Sequence, residues 1–161
     1  RREPQHGDVE VRKLINDTLV LLRHEIRSRK IDVHCDLGDT EVTVLTDSIQ
    51  LQQVLMNLIQ NAVREVALVP DADQVLEIEL LNDPKQIVIR IRNSLTQVPQ
   101  NVRSWCDTFY TSSESGLGLG LPISKRIVDS LHGTLNAEVD GHVVTMTVTL
   151  QKANRHGQNS A

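Results

Sequence analysis

The sequence predicts an α/β fold, a two-layer sandwich in which a mixed, mostly antiparallel sheet packs on three helices. Three segments carry apolar residues at helical spacing, and six shorter segments have the residue types of strands. Such elements bury their apolar surfaces together when the helices cover one face of the sheet. The 161 residues are enough for one domain with one ordinary core.

The first helix is predicted over Val9 to Arg29. It has one apolar stripe at helical spacing, made of Val11, Ile15, Leu19, Leu22 and Ile26. Two short strands are predicted next, from Ile31 to Leu37 and from Glu41 to Leu45. The domain is expected to run from residue 9 to residue 151, and residues 1–8 are expected to be a flexible remnant of an upstream helical domain.

The second helix is predicted to begin after Asp47, which can cap it together with Gln50 three residues later. Its core face is expected to consist of Leu51, Val54, Leu55, Leu58 and Ala62. A polar stripe runs beside that face, because Asn57, Asn61 and Arg64 lie at i, i+4 and i+7. Since isolated amides on a helix usually cap it or face solvent, this stripe indicates a site only together with a second feature.

A hairpin is predicted from two strands, Gln74 to Leu81 and Gln86 to Asn93, joined by residues 82–85. Its register follows from charge, because opposite charges across a pair stabilise a sheet. The predicted cross-strand partners are Glu77 with Arg92, Glu79 with Arg90, Ile78 with Ile91 and Leu80 with Ile89. One face is then ion-paired and the other apolar, and by parity Asn93 points inward.

Residues 94–115 are irregular and polar, which is too long for a simple turn and predicts a functional lid loop. The third helix is predicted from Leu121 to Leu131, with Gly133 as its C-terminal cap. Strands from Thr134 to Val139 and from Val143 to Leu150 complete the sheet, and residues 152–161 are expected to form a disordered tail.

Three alternating glycines, Gly116, Gly118 and Gly120, lead directly into the third helix, where Pro122 suits a first turn. Glycines leave backbone N–H groups accessible, and the positive end of the helix dipole lies behind them, so the segment predicts a phosphate-binding loop. Alternating glycines also serve turns and close packing. No Gly-Lys-Ser/Thr follows and no strand precedes the loop, which excludes the P-loop and the dinucleotide fingerprint.

The charge, the cysteines and the apolar runs of the sequence exclude several classes of function. The net charge is -4 and lysines and arginines are not clustered, which argues against nucleic acid as the main partner. Cys35 and Cys106 lack the spacing of a zinc site, and no apolar run is long enough to span a bilayer. We therefore expect a globular domain that makes no membrane contact of its own.

Together these motifs resemble the ATP-binding catalytic domain of sensor histidine kinases, members of the GHKL superfamily with the Bergerat-type fold. Residues 47–62 resemble its N box, residues 107–111 (Asp-Thr-Phe-Tyr-Thr) its F box, and residues 116–128 its G2 box. The resemblance spans nearly the whole chain.

The resemblance implies specific roles in binding ATP and Mg²⁺. Asn61 is expected to hold Mg²⁺, Asn57 to support the metal and its water as the catalytic amide, and Arg64 to contact phosphate. An amide oxygen is a hard, neutral ligand, and a guanidinium forks onto phosphate oxygens. The remaining nucleotide-binding residues implied are Asn93, Thr111, Gly116, Leu117, Gly118, Leu119, Gly120 and Leu121.

The family's adenine-reading G1 box is altered here. Its Asp-x-Gly-x-Gly pattern falls on residues 93–97, with Asn93, Leu95 and Gln97 at the signature positions. A neutral amide accepts a hydrogen bond less strongly than a carboxylate. If the backbone needs positive φ where the glycines stood, each side chain there costs roughly 1–2 kcal/mol. Ser113 also stands where many relatives carry a lysine. We therefore expect weakened nucleotide affinity.

The resemblance implies transfer of the γ-phosphoryl group of ATP to a histidine on a separate dimerisation domain. An isolated domain of this kind is not expected to phosphorylate itself.

Two alternatives stay open: a degenerate, nucleotide-independent signalling or docking module, and a serine kinase of the anti-sigma-factor type. The implied partners are ATP or ADP, the dimerisation and phosphoacceptor domain of the parent and, indirectly, a response regulator. The expected location is the bacterial cytoplasm, with a parent that can be membrane-anchored.

Overall fold

The computed structural model describes residues 3–97 and 120–152. The strands within these ranges are β1 (Gly7–Glu10), β2 (His34–Asp36), β3 (Thr43–Thr46), β4 (Leu76–Asn82), β5 (Gln86–Ser94), β6 (Thr134–Asp140) and β7 (Val143–Gln151). The helices are α1 (Val11–Leu21), α2 (Arg23–Ser28), α3 (Ser48–Val66) and α4 (Gly120–Ser130), with a short 3₁₀ turn at Asp71–Asp73.

The main sheet has the strand order β2-β4-β5-β7-β6. Strand β2 runs parallel to β4, and the other neighbouring strands of this sheet are antiparallel. Strands β1 and β3 form a separate antiparallel pair. Helix α3 packs against β5 and α4 against β6, so the helices cover one face. The predicted mixed, mostly antiparallel sandwich is confirmed.

The hairpin of β4 and β5 has the predicted register. Glu77 lies opposite Arg92 and Glu79 opposite Arg90. The two ion pairs close at 3.0 Å (Arg92 Nη1 to Glu77 Oε2) and 3.1 Å (Arg90 Nη1 to Glu79 Oε1) on the exposed face. The four apolar partners, Ile78, Ile91, Leu80 and Ile89, are buried on the other face. Charge pairing and burial therefore favour the same register.

The first predicted helix is wrong at its start and in its continuity. Val9 lies in β1, paired with Val44, so the predicted domain boundary at residue 9 falls inside a strand. The helix begins at Val11 after the side chain of Glu10, which accepts from the backbone N–H of Lys13. Leu22, with φ -93° and ψ 0°, then separates α1 from α2. The apolar positions alone misled the prediction, because Val9 and Val11 satisfy both a strand and a helix pattern.

Helix α3 is capped as predicted. Asp47 Oδ1 accepts hydrogen bonds from the backbone N–H groups of Ile49 and Gln50, each at 3.0 Å. The predicted core residues of this helix are all buried, namely Leu51, Val54, Leu55, Leu58 and Ala62. A cap and a continuous apolar face hold α3 in one orientation, and so hold the polar stripe beside that face.

The end of α4 corrects the predicted cap. The left-handed residue there is His132, with φ 59°, and not Gly133. Gly133 instead lies against β7, where an added Cβ would come within 2.5 Å of the backbone oxygen of Thr149. The glycine is therefore required for close approach of the chain to the sheet, while its neighbour makes the turn.

Candidate functional site

Helices α3 and α4 pack side by side and run in opposite directions, with a register set by two hydrogen bonds. Ser130 Oγ donates to Gln50 Oε1 at 3.2 Å, and Asn57 Nδ2 donates to Ser124 Oγ at 3.4 Å. Asn61 lies four residues after Asn57 on α3, and Gly120 lies four residues before Ser124 on α4. Since the helices are antiparallel and four residues rise by about 6 Å in each, Asn61 is level with Gly120. Helix α4 therefore begins beside the turn of α3 that carries Asn61.

The amide of Asn57 has a defined orientation. Its nitrogen donates to Ser124, which is 0% exposed, so that Oδ1 points away from this hydroxyl. An amide oxygen beside a helix N-terminus is the kind of hard, neutral donor that a phosphate-bound Mg²⁺ accepts. The amide oxygens of Asn57 and Asn61 are therefore of the kind that fits the metal that the sequence implies.

Arg64 is linked to α2 through one carboxylate, that of Glu25. The Arg64 Nε lies 3.8 Å from Glu25 Oε1, and the Arg29 Nε lies 3.6 Å from the same oxygen. Gln60 Nε2 donates to Glu25 Oε2 at 3.3 Å. Because the contact to Arg64 is made through Nε, its two terminal nitrogens lie farther from Glu25 and can fork onto a phosphate.

Asn93 points inward, as predicted, and is 3% exposed. Its Nδ2 donates to the carbonyl of Ser94 at 3.1 Å, which leaves Oδ1 as an acceptor. Leu95 is buried in the core, and its N–H donates to the His142 carbonyl at 2.7 Å. Neither Leu95 nor Gln97 is among the positive-φ residues of the described chain. The backbone strain considered for this segment is therefore absent at these two positions.

The glycine segment is only partly described. Gly120 is the first residue of α4, and Leu121 is buried behind it. Thr111, Gly116, Leu117, Gly118 and Leu119 lie outside the described residues, as do most of the predicted lid loop 94–115 and residues 153–161 of the tail. The phosphate-cradling role of residues 116–121 remains a prediction.

A further acid, Glu65, lies on α3 beside the polar stripe, and the sequence analysis did not single it out. It lies one helical turn after Asn61 on α3 and is 6% exposed. Within the described ranges its carboxylate makes no hydrogen bond or ion pair. The sequence signal for Glu65 was its spacing, because residues four and eight positions after Asn57 lie on the same side of a helix. Burial raises the pKa of the Glu65 carboxyl above its ordinary value.

We expect replacement of Glu65 by glutamine to change how stability depends on pH. Because the folded-state pKa is raised, the charged form destabilises the native state, and the cost is absent below the unfolded pKa of about 4.3. The cost grows as pH rises through the folded-state pKa. Near neutral pH, Glu65→Gln should therefore be more stable than the wild type, and near pH 4 the two should converge. Urea unfolding across this range checks the difference, and parallel pH profiles would contradict it.

A second concave surface lies away from the polar stripe of α3. A depression of about 650 Å³ lies on the outer face of the sheet and is lined by His34, Cys35, Asp36, Glu77, Ile78, Glu79, Arg90, Arg92 and Thr145. Among the residues described, no group of three or more His, Cys, Asp or Glu side chains could hold a metal ion. No helix in the described ranges is both long and apolar enough to cross a membrane.

A family model decides the classification. The model described as "Histidine kinase-, DNA gyrase B-, and HSP90-like ATPase" matches residues 46–154, which include α3, the sheet from β4 to β7 and α4. The chain belongs to this ATPase family. The stripe on α3 and the glycines before α4 both lie within the matched residues.

The relatives of this ATPase domain include a sensor protein and a sporulation kinase. The C4-dicarboxylate transport sensor protein DctB of Rhizobium meliloti is 32% identical over 148 residues, which cover 91% of this chain and 24% of that protein. Sporulation kinase E of Bacillus subtilis is 25% identical, over 80% of this chain and 17% of the relative. The chain therefore spans about a quarter or less of these relatives.

Solved structures confirm the fold of the ATPase domain. The catalytic domain of histidine kinase ThkA, in a nucleotide-free form, superposes with a TM-score of 0.80 at 23% identity, over 92% of this chain and 97% of that one. ThkA in complex with the response regulator TrrA gives a TM-score of 0.79 at 22% identity, over 93% of this chain and 42% of that one. At these identities the likeness concerns the fold alone.

Proposed function

We propose that the domain binds Mg-ATP and serves as the catalytic domain of a sensor histidine kinase. The observation that carries the proposal is the antiparallel register of α3 and α4, in which Asn57 contacts Ser124 and Asn61 lies level with Gly120. This arrangement combines amide oxygens for a cation with a helix N-terminus for phosphates. The sensor relatives and the kinase fold support the same assignment.

The chain's own residues would act by binding and orientation. Arg64, linked to Glu25 through Nε, would direct its terminal nitrogens to the phosphates. The backbone N–H groups from Gly116 to Leu121 would hold the phosphate oxygens, and Thr111 would add a contact from the F box. Mg²⁺ bound at Asn61 and Asn57 would neutralise charge between the phosphates.

In the proposed reaction, a nitrogen of the acceptor imidazole forms a bond to the γ-phosphorus. The bond from that phosphorus to the bridging oxygen of the β-phosphate breaks, and ADP leaves. Positioning and charge stabilisation supply most of the catalysis in such transfers. The acceptor histidine belongs to the dimerisation domain of the parent, so the isolated domain is expected to bind nucleotide without labelling itself.

We also propose that nucleotide affinity is weakened. The acceptor at residue 93 is a neutral amide and position 113 carries no lysine, which removes charge-assisted contacts. The altered G1 segment also favours a second candidate function, that of a docking module that signals without binding nucleotide. A serine kinase of the anti-sigma-factor type has the same fold, and the sensor relatives favour the histidine kinase over it.

Calorimetric titration with ATP, in the presence of Mg²⁺ and again with EDTA, tests this proposal. We expect Mg²⁺-dependent binding with a dissociation constant of about 100 μM, which corresponds to roughly 5–6 kcal/mol. A dissociation constant in the low micromolar range would contradict the weakened site. No binding at any concentration would reject the kinase assignment and favour the docking module.

We propose the dimerisation and phosphoacceptor domain of the parent as the direct partner, and a response regulator as the indirect one. The similarity to DctB, which is named a sensor protein, supports this architecture. A bacterial cytoplasmic location follows as part of the same proposal, because both ATP and response regulators are available there.

A further inference from the structure

Ser124 places a buried hydroxyl in the contact between α3 and α4. It is 0% exposed, and the side chains one turn before and one turn after it in α4, Leu121 and Val128, are apolar and buried. A buried hydroxyl costs free energy unless it is hydrogen-bonded. Within the described ranges its one side-chain hydrogen bond is accepted from Asn57 Nδ2, at 3.4 Å. The polar atom at this position therefore serves Asn57 and not the packing of α4.

The two ends of the Asn57 side chain are not equivalent toward a cation. The amide oxygen can coordinate Mg²⁺ or accept a hydrogen bond from its bound water, whereas the NH₂ group only donates. Asn57 is partly exposed, so an amide without a fixed partner would rotate and present either end. Because the nitrogen is held at Ser124, the oxygen is the end left for a metal.

Ser124 lies near the start of the helix into which the glycine segment leads. It is one turn after Gly120, the first residue of α4. A serine in a helix can donate its own proton to a carbonyl one turn back, which keeps its oxygen as an acceptor. The other contact between the helices, from Ser130 Oγ to Gln50 Oε1, lies about two turns farther from Gly120 and at an exposed serine. Of these two serines in the described chain, Ser124 is the one that contacts the proposed site.

We propose that Ser124 is a positioning residue that holds the Asn57 amide with its oxygen toward Mg²⁺, an inference that rests on the proposed function. The hydroxyl accepts from Nδ2 and so sets which end of the amide meets the cation. It also links this orientation to the position of α4, the helix whose N-terminus is proposed to face the phosphates. Ser124 therefore acts through the metal and not on the nucleotide, and its loss weakens the metal-dependent part of binding.

Titration with ATP followed by NMR, in Mg²⁺ and again in EDTA, tests this inference on the wild type, Ser124→Ala, Asn57→Ala and the double variant. We expect Ser124→Ala to weaken binding of Mg-ATP by about 10-fold, as is typical when the partner that orients a metal ligand is lost. Its binding of ATP in EDTA should be unchanged. In the Asn57→Ala background the same substitution should have no further effect, because the side chain that it orients is gone. The matched control is Ser130→Ala, which removes the other contact between α3 and α4 and should keep the wild-type affinity.

Thermal unfolding separates positioning from packing. Alanine favours a helix more than serine does, and the partly exposed Asn57 can turn to water, so Ser124→Ala is expected to be as stable as the wild type. Ser124→Cys, whose sulfur is a weak acceptor, provides a second variant and should give an intermediate affinity.

The outcomes separate the inference from the function on which it rests. If Ser124→Ala binds Mg-ATP as tightly as the wild type, or if Ser130→Ala weakens binding equally, the inference is wrong and the kinase assignment stands. Equal losses in Mg²⁺ and in EDTA would also reject it, since the serine would then act on the nucleotide and not through the metal. If the wild type binds no nucleotide, the proposed function fails and the inference fails with it.

Discussion

Replacing Asn61 with alanine is expected to weaken binding of Mg-ATP by about 100-fold, because the side-chain ligand proposed for the metal is lost. The register of α3 and α4 places this residue level with the first residue of the glycine-led helix. Binding of ATP in EDTA should change much less. Calorimetry on the wild type and the variant, with and without Mg²⁺, measures both effects.

A matched control for this variant is Asn136→Ala. Asn136 is an exposed amide on β6, so its removal should leave the affinity for Mg-ATP and the thermal stability unchanged. An Asn61→Ala protein that binds Mg-ATP as tightly as the wild type would reject the metal site on α3. In the full-length parent, unaltered signalling by Asn61→Ala would identify a docking module instead.

Replacing Gly133 with alanine is expected to lower the free energy of unfolding by about 2–3 kcal/mol through overpacking. The added Cβ would meet the Thr149 backbone oxygen at 2.5 Å and the Leu150 Cδ2 at 2.7 Å, both on β7. A carbonyl in a sheet ladder cannot move away without disturbing its hydrogen bonds. Urea unfolding monitored by circular dichroism measures the loss.

Gly7→Ala provides the comparison for Gly133→Ala. Gly7 lies in β1 with nothing within 4 Å of an added Cβ, so alanine there should change stability by less than about 0.5 kcal/mol. Equal stability of the two alanine variants would show that the turn after α4 lies less close to β7 than described.

Patterning predicted the fold wherever two signals agreed. In the β4–β5 hairpin, charge pairing and apolar alternation required the same partners, and the register followed. At α3, a cap and an apolar face agreed on the start of the helix. The first helix had only its apolar positions, and these did not separate Val9 in β1 from Val11 in α1. At Gly133 the sequence showed a glycine near a helix end, but not the strand lying against it.

The site was predictable only in part, because contacts between distant segments decide it. The amides of α3 could be recognised by their spacing on one helix. The hydrogen bond from Asn57 to Ser124 and the contact of Arg64 with Glu25 join residues far apart in the chain, and no local pattern predicts them. Glu65 was missed because an acid at a helical surface usually faces solvent, and only the fold shows that it is buried.

The most direct test of the metal–phosphate site is paramagnetic NMR with Mn²⁺ in place of Mg²⁺ at saturating ATP. A paramagnetic ion broadens signals close to it and leaves distant ones sharp. We expect strong broadening of the side-chain amides of Asn57 and Asn61 and of the backbone amides of Gly120 and Leu121, with Asn136 unaffected. Sharp Asn57 and Asn61 signals in the nucleotide-bound protein would contradict it.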